Sequence, residues 1–277
     1  MDYIELTLDI TPKQPWTEII ISELAEIDFE SFTEDNNLLQ AYIPINKINQ
    51  KELAVKLNQF DESQVKITYQ EKHIPSQNWN ATWESDYKPV EIDRKLLIRA
   101  PFHEVSEDFE NVIEIQPQMS FGTGHHETTY LFSKILLSLD LNQKSVLDVG
   151  TGTGVLGIIA SKKGAESIIG TDIEPRAVKN AIENIERNKI ENFKVLEGDI
   201  DIVPDKTFDF IFANINKNVL KNHLPKYAKR SNDSSTLLLS GFFESDIDEL
   251  IDAAKLVGFK HNKTHTLDTW AVLEFKR

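Results

Sequence analysis

The residues with the most chemical content run from Ser145 to Gly154, SVLDVGTGTG. An apolar stretch carries a carboxylate, Asp148, near its end, and Gly150, Gly152 and Gly154 follow at alternate positions. A helix is expected at once, over Val155 to Lys163. Glycines spaced this way let a strand turn sharply into a helix and bring the backbone close to a ligand with no Cβ in between. Further along, Asp172 ends a second apolar run, SIIGTD, where a carboxylate can accept from both hydroxyls of a ribose. Gly198-Asp199 and Ala213-Asn214-Ile215 close two more such runs. Four strand ends thus offer a glycine loop, two carboxylates and an amide.

Two cofactor classes fit this set. Gly152, Gly154 and Gly157 satisfy G-x-G-x-x-G with an acid about twenty residues on, the dinucleotide pattern, so an NAD-dependent enzyme is one reading. Three features favour a methyl donor, S-adenosyl-L-methionine. Asp148, just before the first glycine, would repel a pyrophosphate but helps an ammonium. Asp199 is placed to meet an adenine amino group. Asn214 puts a side-chain amide where a sulfonium methyl would point, and could hold an incoming amine through its carbonyl oxygen. Gly150 and Gly152 would line the donor. A P-loop is excluded, since no G-K-[S/T] follows the glycines. Asp172 has a rival role, capping the helix that starts at Pro175.

A second string, SFGTGHHETT from Ser120 to Thr129, precedes an apolar helix from Tyr130 to Leu139. Phe121, Gly122 and Thr123 are candidate cofactor contacts. Thr128 and Thr129 fall at the helix start with hydroxyls available to a ligand. His125, His126 and Glu127 suggest a metal, but adjacent side chains converge poorly on one ion and no H-E-x-x-H spacing exists. No metal is expected.

The strings MSFGTGHHETT, VLDVGTGTGVLGI, GTDIEPRAV and FANI resemble the ribosomal protein L-eleven methyltransferases, the PrmA family, over most of the chain. The resemblance implies a small ferredoxin-like domain, a linker and a Rossmann-like catalytic domain. It implies a basic ribosomal protein as substrate, methylated on lysine ε-amines and its N-terminal α-amine. The family's cofactor-contacting positions map onto Thr129, Gly150, Asp172 and Asn214. One departure stands out: Asn216-Lys217-Asn218 follows Asn214-Ile215, where many members carry a leucine, so the loop touching the amine differs in detail.

The elements needed to position these residues are legible in outline. Residues 1–72 read as β-α-β-β-α-β, the order of a ferredoxin-like unit. Ile4, Leu6, Leu8 and Ile10 alternate; Trp16, Ile19, Ile20, Leu24 and Ile27 recur at helical spacing; Ile48 to Phe60 reads as a second helix. Residues 73–89, with Trp79 and Trp83 on one helix face, read as a linker helix. Residues 90–277 alternate strand and helix, with strands expected at 96–99, 145–149, 167–172, 193–198, 208–214 and 236–242 and a closing pair from Phe259 to Phe275. That pattern means an α/β fold with a doubly wound, mostly parallel sheet and an antiparallel last strand, a class I methyltransferase domain.

Charge narrows the partner. The chain of 277 residues has 30 basic and 45 acidic side chains, a net of −15. Residues 1–72 hold fourteen carboxylates against six lysines, a net of −8, with no glycine loop or metal cluster. They are expected to recognise something basic, while a nucleic-acid grip needs a basic face. A methyltransferase acting on nucleic acid, a small molecule or another protein is a weaker alternative, because the N-P-P-[Y/F] string is absent. The complete Gly150, Asp172 and Asn214 set argues against a non-catalytic binder. No apolar run approaches the ~20 residues of a membrane span. The absence of cysteine excludes disulfides and thiol nucleophiles. A basic, apolar leader is missing, so a cytoplasmic protein is expected.

Overall fold

The computed structural model describes residues 2–35, 38–61, 63–75, 83–84, 86–104, 106 and 108–277. Its contacts divide the chain into two compact units, residues 1–86 and 87–277. The boundary falls inside the 73–89 segment. Trp79 and the central part of that segment lie outside the described residues, and Trp83 is exposed.

The first unit is a four-stranded antiparallel sheet in the order β2-β3-β1-β4 carrying two helices. Its strands are β1 (Tyr3–Thr11), β2 (Ser31–Asp35), β3 (Leu38–Pro44) and β4 (Lys66–Ile74), its helices α1 (Trp16–Ala25) and α2 (Gln50–Asn58). Leu6 and Leu8 of β1, Leu39, Ala41 and Ile43 of β3, Ile20 and Leu24 of α1 and Leu53 of α2 make the core. The two-residue alternation on the strands and the three-to-four-residue spacing on the helices put these side chains on facing surfaces. Asn49 starts α2, its Oδ1 accepting from the N–H groups of Lys51 and Glu52 at 3.2 and 3.4 Å. β4 runs to Ile74, two residues beyond the expected end of this domain.

The second unit is built on a seven-stranded sheet in the order β10-β9-β8-β11-β12-β14-β13. Its strands are β8 (Ser145–Val149), β9 (Ser167–Asp172), β10 (Phe193–Glu197), β11 (Phe208–Asn214), β12 (Ser231–Phe243), β13 (Lys260–Leu267) and β14 (Trp270–Lys276). All pairs are parallel up to β12, and β14 runs antiparallel to both its neighbours. Helices α3 (Glu127–Ser138), α4 (Val155–Lys162), α5 (Pro175–Arg187), α6 (Lys217–Lys229) and α7 (Ile247–Leu256) cover the two faces. One core joins α3 and α4 to the sheet through Phe132, Ile135, Ile158 and Phe212. The other joins α6 and α7 through Leu220, Tyr227, Leu250 and Phe275. Burial on both faces explains why β8 and β11 read as continuous apolar runs.

One expectation needs correcting. Leu96–Arg99 does not belong to the wound sheet. It is β6 of a separate three-stranded sheet, between β5 (Val90–Ile92) and β7 (Asn111–Glu114), antiparallel to the first and parallel to the second. A short run buried on all sides reveals that it is a strand, not which strand it pairs with.

Candidate functional site

Strand order reverses between β8 and β11, and a crevice opens there at the carboxyl ends of the strands. A cavity of about 410 Å³ occupies it. Of the residues singled out from sequence, Phe121, Gly150, Gly152, Asp172, Asp199 and Asn214 line it; Gly122, Thr123, Thr129 and Asp148 do not. Its remaining wall is largely apolar, from Val149, Ile173, Ala177, Ile215 and Val219.

The glycine loop leaves β8 with Gly150 at φ +74° and Gly152 at φ +56°. A Cβ on Gly150 would lie 2.2 Å from Ile215 Cγ2, and one on Gly152 would lie 2.2 Å from the Phe121 carbonyl oxygen. Both positions therefore need glycine, for conformation and for space. The loop's N–H groups are all taken within the protein. Gly150 and Thr151 donate to the Thr171 carbonyl at 2.8 and 2.9 Å, Thr153 to Phe121 O at 2.9 Å, and Gly154 to Thr151 O at 2.8 Å. Gly152 N–H donates to Asp172 Oδ2 at 2.9 Å. A pyrophosphate bound at such a loop needs free N–H donors. None is left on the loop from Gly150 to Gly154, which weighs against a dinucleotide alongside the charge on Asp148.

Asp148 lies beneath the loop. Its Oδ2 accepts from Thr151 Oγ1 at 2.6 Å, and its Oδ1 is buried without a partner. Burial pushes its carboxyl up to about 6, opposed by the Thr151 hydrogen bond and the nearby Gly157 N–H and assisted by the nearby Asp172 charge. Asp172, at the end of β9, divides its oxygens: Oδ2 holds Gly152 N–H, and Oδ1 accepts from Glu174 N–H at 3.0 Å. The residue at the N-cap of α5 is Glu174. Asp172 thus organises the turn into α5 while lining the cavity, so the capping and binding roles are compatible. Each carboxylate oxygen has a second lone pair.

The 120–126 segment folds back over the glycine loop. Phe121 O accepts from Thr153 N–H, and Gly122 O accepts from Thr153 Oγ1 at 2.6 Å. Gly122 therefore supports the loop through its backbone, and Thr123 Oγ1 lies 3.3 Å from His125 Nδ1. His126 caps α3, its Nδ1 accepting from Thr128 N–H at 3.2 Å, and His125 Nε2 bonds the Lys88 carbonyl at 2.8 Å. Thr129, in the first turn of α3, is buried with a partnerless Oγ1. Rings lead outward from the cavity: Phe121 to His126 at 5.1 Å, His126 to Trp270 at 4.8 Å and Trp270 to Phe243 at 4.3 Å between centroids.

At the ends of β10 and β11 stand Asp199 and Asn214. Asp199 Oδ1 accepts from Asp201 N–H at 2.8 Å, while its Oδ2 lies 3.7 Å from Lys226 Nζ and 3.9 Å from His223 Nε2. Asn214 Oδ1 is buried at the cavity wall with no hydrogen-bond partner. A partnerless amide oxygen is costly unless a ligand meets it. His223 escaped the sequence reading because it shares the buried stripe of α6 with Leu220, Leu224 and Tyr227, where a lone histidine passes for core. Its place on the helix that begins just after Asn214 was the available signal.

The residues present fit S-adenosylmethionine: a glycine loop with no room for a Cβ at Gly150 or Gly152, an unpaired amide oxygen, two carboxylates at neighbouring strand ends and no N–H to spare on the loop from Gly150 to Gly154. The fold and this site define a class I methyltransferase. Comparison with known proteins agrees. Residues 13–277 match the family model described as Ribosomal protein L11 methyltransferase (PrmA). A ribosomal protein L11 methyltransferase from Porphyromonas gingivalis is 40% identical over 273 residues, covering 98% of this chain and 92% of that one. Another, from Phocaeicola vulgatus, is 37% identical and covers 99% of each chain. The crystal structure of a ribosomal protein L11 methylase from Lactobacillus delbrueckii subsp. bulgaricus superposes with a TM-score of 0.63 at 27% identity, covering 69% of this chain and 99% of that one. A methyltransferase structure from Pyrococcus furiosus, 18% identical with a TM-score of 0.52, covers 59% of this chain and 88% of that one and shares the fold. The chain belongs to the ribosomal protein L11 methyltransferase family.

Proposed function

We propose that the protein transfers methyl groups from S-adenosylmethionine to lysine ε-amines and the N-terminal α-amine of ribosomal protein L11, in the cytoplasm. The observation that carries the chemistry is the unpaired Asn214 amide oxygen on the wall of a cavity whose glycine loop has no N–H to spare for phosphate. Family membership carries the substrate, and the net of −8 over residues 1–72 supports capture of a basic protein by that unit.

S-adenosylmethionine, when bound, supplies an electrophilic methyl group on a positively charged sulfur. Gly150 and Gly152 let the loop backbone approach it, Asp172 accepts from its ribose hydroxyls, and Asp199 accepts from its adenine amino group. Gly122 and Asp148 hold that frame from behind, through Thr153 and Thr151, and Phe121 lines the cavity. In-line displacement gains most from positioning. Asn214 accepts an N–H from the incoming amine and so orients the nitrogen lone pair. A lysine with a pKa near 10.4 must lose a proton first, which costs about 4.6 kcal/mol at pH 7. The apolar walls lower that cost by desolvating the ammonium. In this scheme water takes the proton.

The test incubates the protein with methyl-labelled donor and dissociated ribosomal proteins, then locates the label by mass spectrometry. Label on lysines and the N-terminal amine of L11 is expected. Label confined to RNA or to other proteins would overturn the substrate assignment.

A further inference from the structure

The methyl-transfer scheme leaves one cavity residue of α6 without a task. The His223 side chain is only 10% exposed, yet it lines the cavity. Its Nδ1 is buried without a hydrogen-bond partner. The edge of the ring is held against Tyr227, with centroids 5.9 Å apart and planes nearly perpendicular. Its Nε2 faces Asp199 Oδ2 at 3.9 Å, beyond hydrogen-bond length. Lys226 approaches the same oxygen at 3.7 Å and pairs more closely with Asp201 Oδ2 at 2.6 Å. The Asp199 carboxylate therefore stands between two nitrogen groups, of which His223 lines the cavity and Lys226 does not. Asp201 is the other acid near the imidazole.

Burial and the Lys226 charge hold the His223 pKa below its ordinary value, against the opposing pull of Asp199 and Asp201. A neutral imidazole carries one N–H and one acceptor nitrogen. The carboxylate opposite favours the proton on Nε2. An N–H on Nε2, 3.9 Å from Oδ2, becomes a hydrogen bond once the two groups close by roughly half an ångström. That bond would keep Oδ2 turned toward the cavity and away from Lys226.

We propose that His223 is a positioning residue for recognition of the donor's purine: it holds the Asp199 carboxylate toward the cavity, and so makes the site accept a 6-amino purine and reject a 6-oxo purine. The proposal rests on reading the cavity as the S-adenosylmethionine site. An exocyclic amine donates to a carboxylate, whereas a 6-oxo group sets acceptor against acceptor. A site built around a hydrogen bond to one group rejects the analogue lacking it far better than an apolar slot does. Without His223, Oδ2 is free to turn to Lys226, and the rejection weakens.

The experiment measures calorimetric affinities of the full-length protein for S-adenosylhomocysteine and for its inosine counterpart, with the 6-amino group replaced by oxygen. The wild type should favour the adenine ligand by at least about a hundredfold. His223→Asn, whose amide is too short to reach Asp199, should cut that ratio about tenfold, mainly by weakening the adenine ligand. His223→Gln, with longer reach, should retain most of it. Asp199→Asn should lower the ratio too, and adding His223→Asn to it should lower it little further. A packing role alone would weaken both ligands by one factor and leave the ratio unchanged in every His223 variant; that result overturns the proposal. Wild-type protein that binds neither ligand would overturn the cavity assignment itself, and this inference with it.

Discussion

Asp172 and Asn214 both line the cavity, but their surroundings predict different kinetic signatures. Asp172 holds Gly152 N–H and Glu174 N–H as well as facing the cavity, so Asp172→Ala removes the ligand's acceptor and loosens the loop together. Donor affinity should fall by about 2–4 kcal/mol, as expected for charge-assisted hydrogen bonds. Titration calorimetry with S-adenosylhomocysteine reads it, and unchanged affinity would refute the assignment. Asn214 holds nothing through its Oδ1, so Asn214→Ala should cut turnover far more than donor affinity. An affinity loss with turnover intact would confine Asn214 to cofactor binding. Asp148 titrates in an unusual range. Its folded pKa, about 6, lies above the ordinary carboxylate value, so the native state binds the extra proton between about pH 4 and 6. Stability from this group is therefore greatest below about pH 4 and declines as pH rises toward 6, by on the order of 3 kcal/mol. Asp148→Asn should raise Tm at pH 7–8, with the advantage over wild type vanishing as the pH falls to about 4. A constant difference across that range would show that the carboxyl does not titrate there.

At the scale of elements, two segments distant in sequence build one platform. The 120–126 segment lays the Phe121 and Gly122 carbonyls on Thr153, and β12 passes behind the Asn214 loop, where a Cβ on Gly241 would lie 2.3 Å from Ile215 O. The platform yields least at Gly152, where the neighbour is backbone rather than side chain. Gly152→Ala sets a methyl against the Phe121 carbonyl and forces a left-handed backbone on alanine. We expect a loss of about 2–3 kcal/mol of stability, a Tm lower by about 5 °C or more, and donor binding weakened beyond detection. Differential scanning calorimetry and a donor titration check both parts. Wild-type donor affinity in this variant would mean that the segments do not meet as described.

For the whole molecule, charge and chemistry are unevenly divided. Among the described residues, those lining the 410 Å³ cavity fall between Met119 and His223, while residues 1–72 hold −8 of the net −15. Lys56 sits 2.6 Å from both Glu23 and Glu26, yet most acids of that unit remain exposed. A chain starting at Tyr87 should bind S-adenosylhomocysteine within about twofold of the full protein, because no lining residue is removed. Its methylation of intact L11 should fall by at least about tenfold, and the full chain's rate should drop as salt rises. Full methylation by the truncated chain would refute the recognition role. Loss of donor binding would mean that the first unit supports the catalytic fold.

Much of the cavity wall was legible from residue order. The loop glycines, Asp172 and Asn214 are local signals, because each follows an apolar strand whose direction sets where its end must lie. The alternation of strand and helix likewise implied the doubly wound sheet. Tertiary structure decided what depends on neighbours remote in sequence. It paired Leu96–Arg99 with β5 and β7, and it seated β14 between β12 and β13. It buried Asp148 beneath the loop, spent every loop N–H from Gly150 to Gly154 on internal partners, and turned His223 of an apolar helix stripe into the cavity wall. Periodicity tells a residue which face it occupies; only packing tells it what lies opposite, and burial, hydrogen-bond partners and pKa all follow from that second fact.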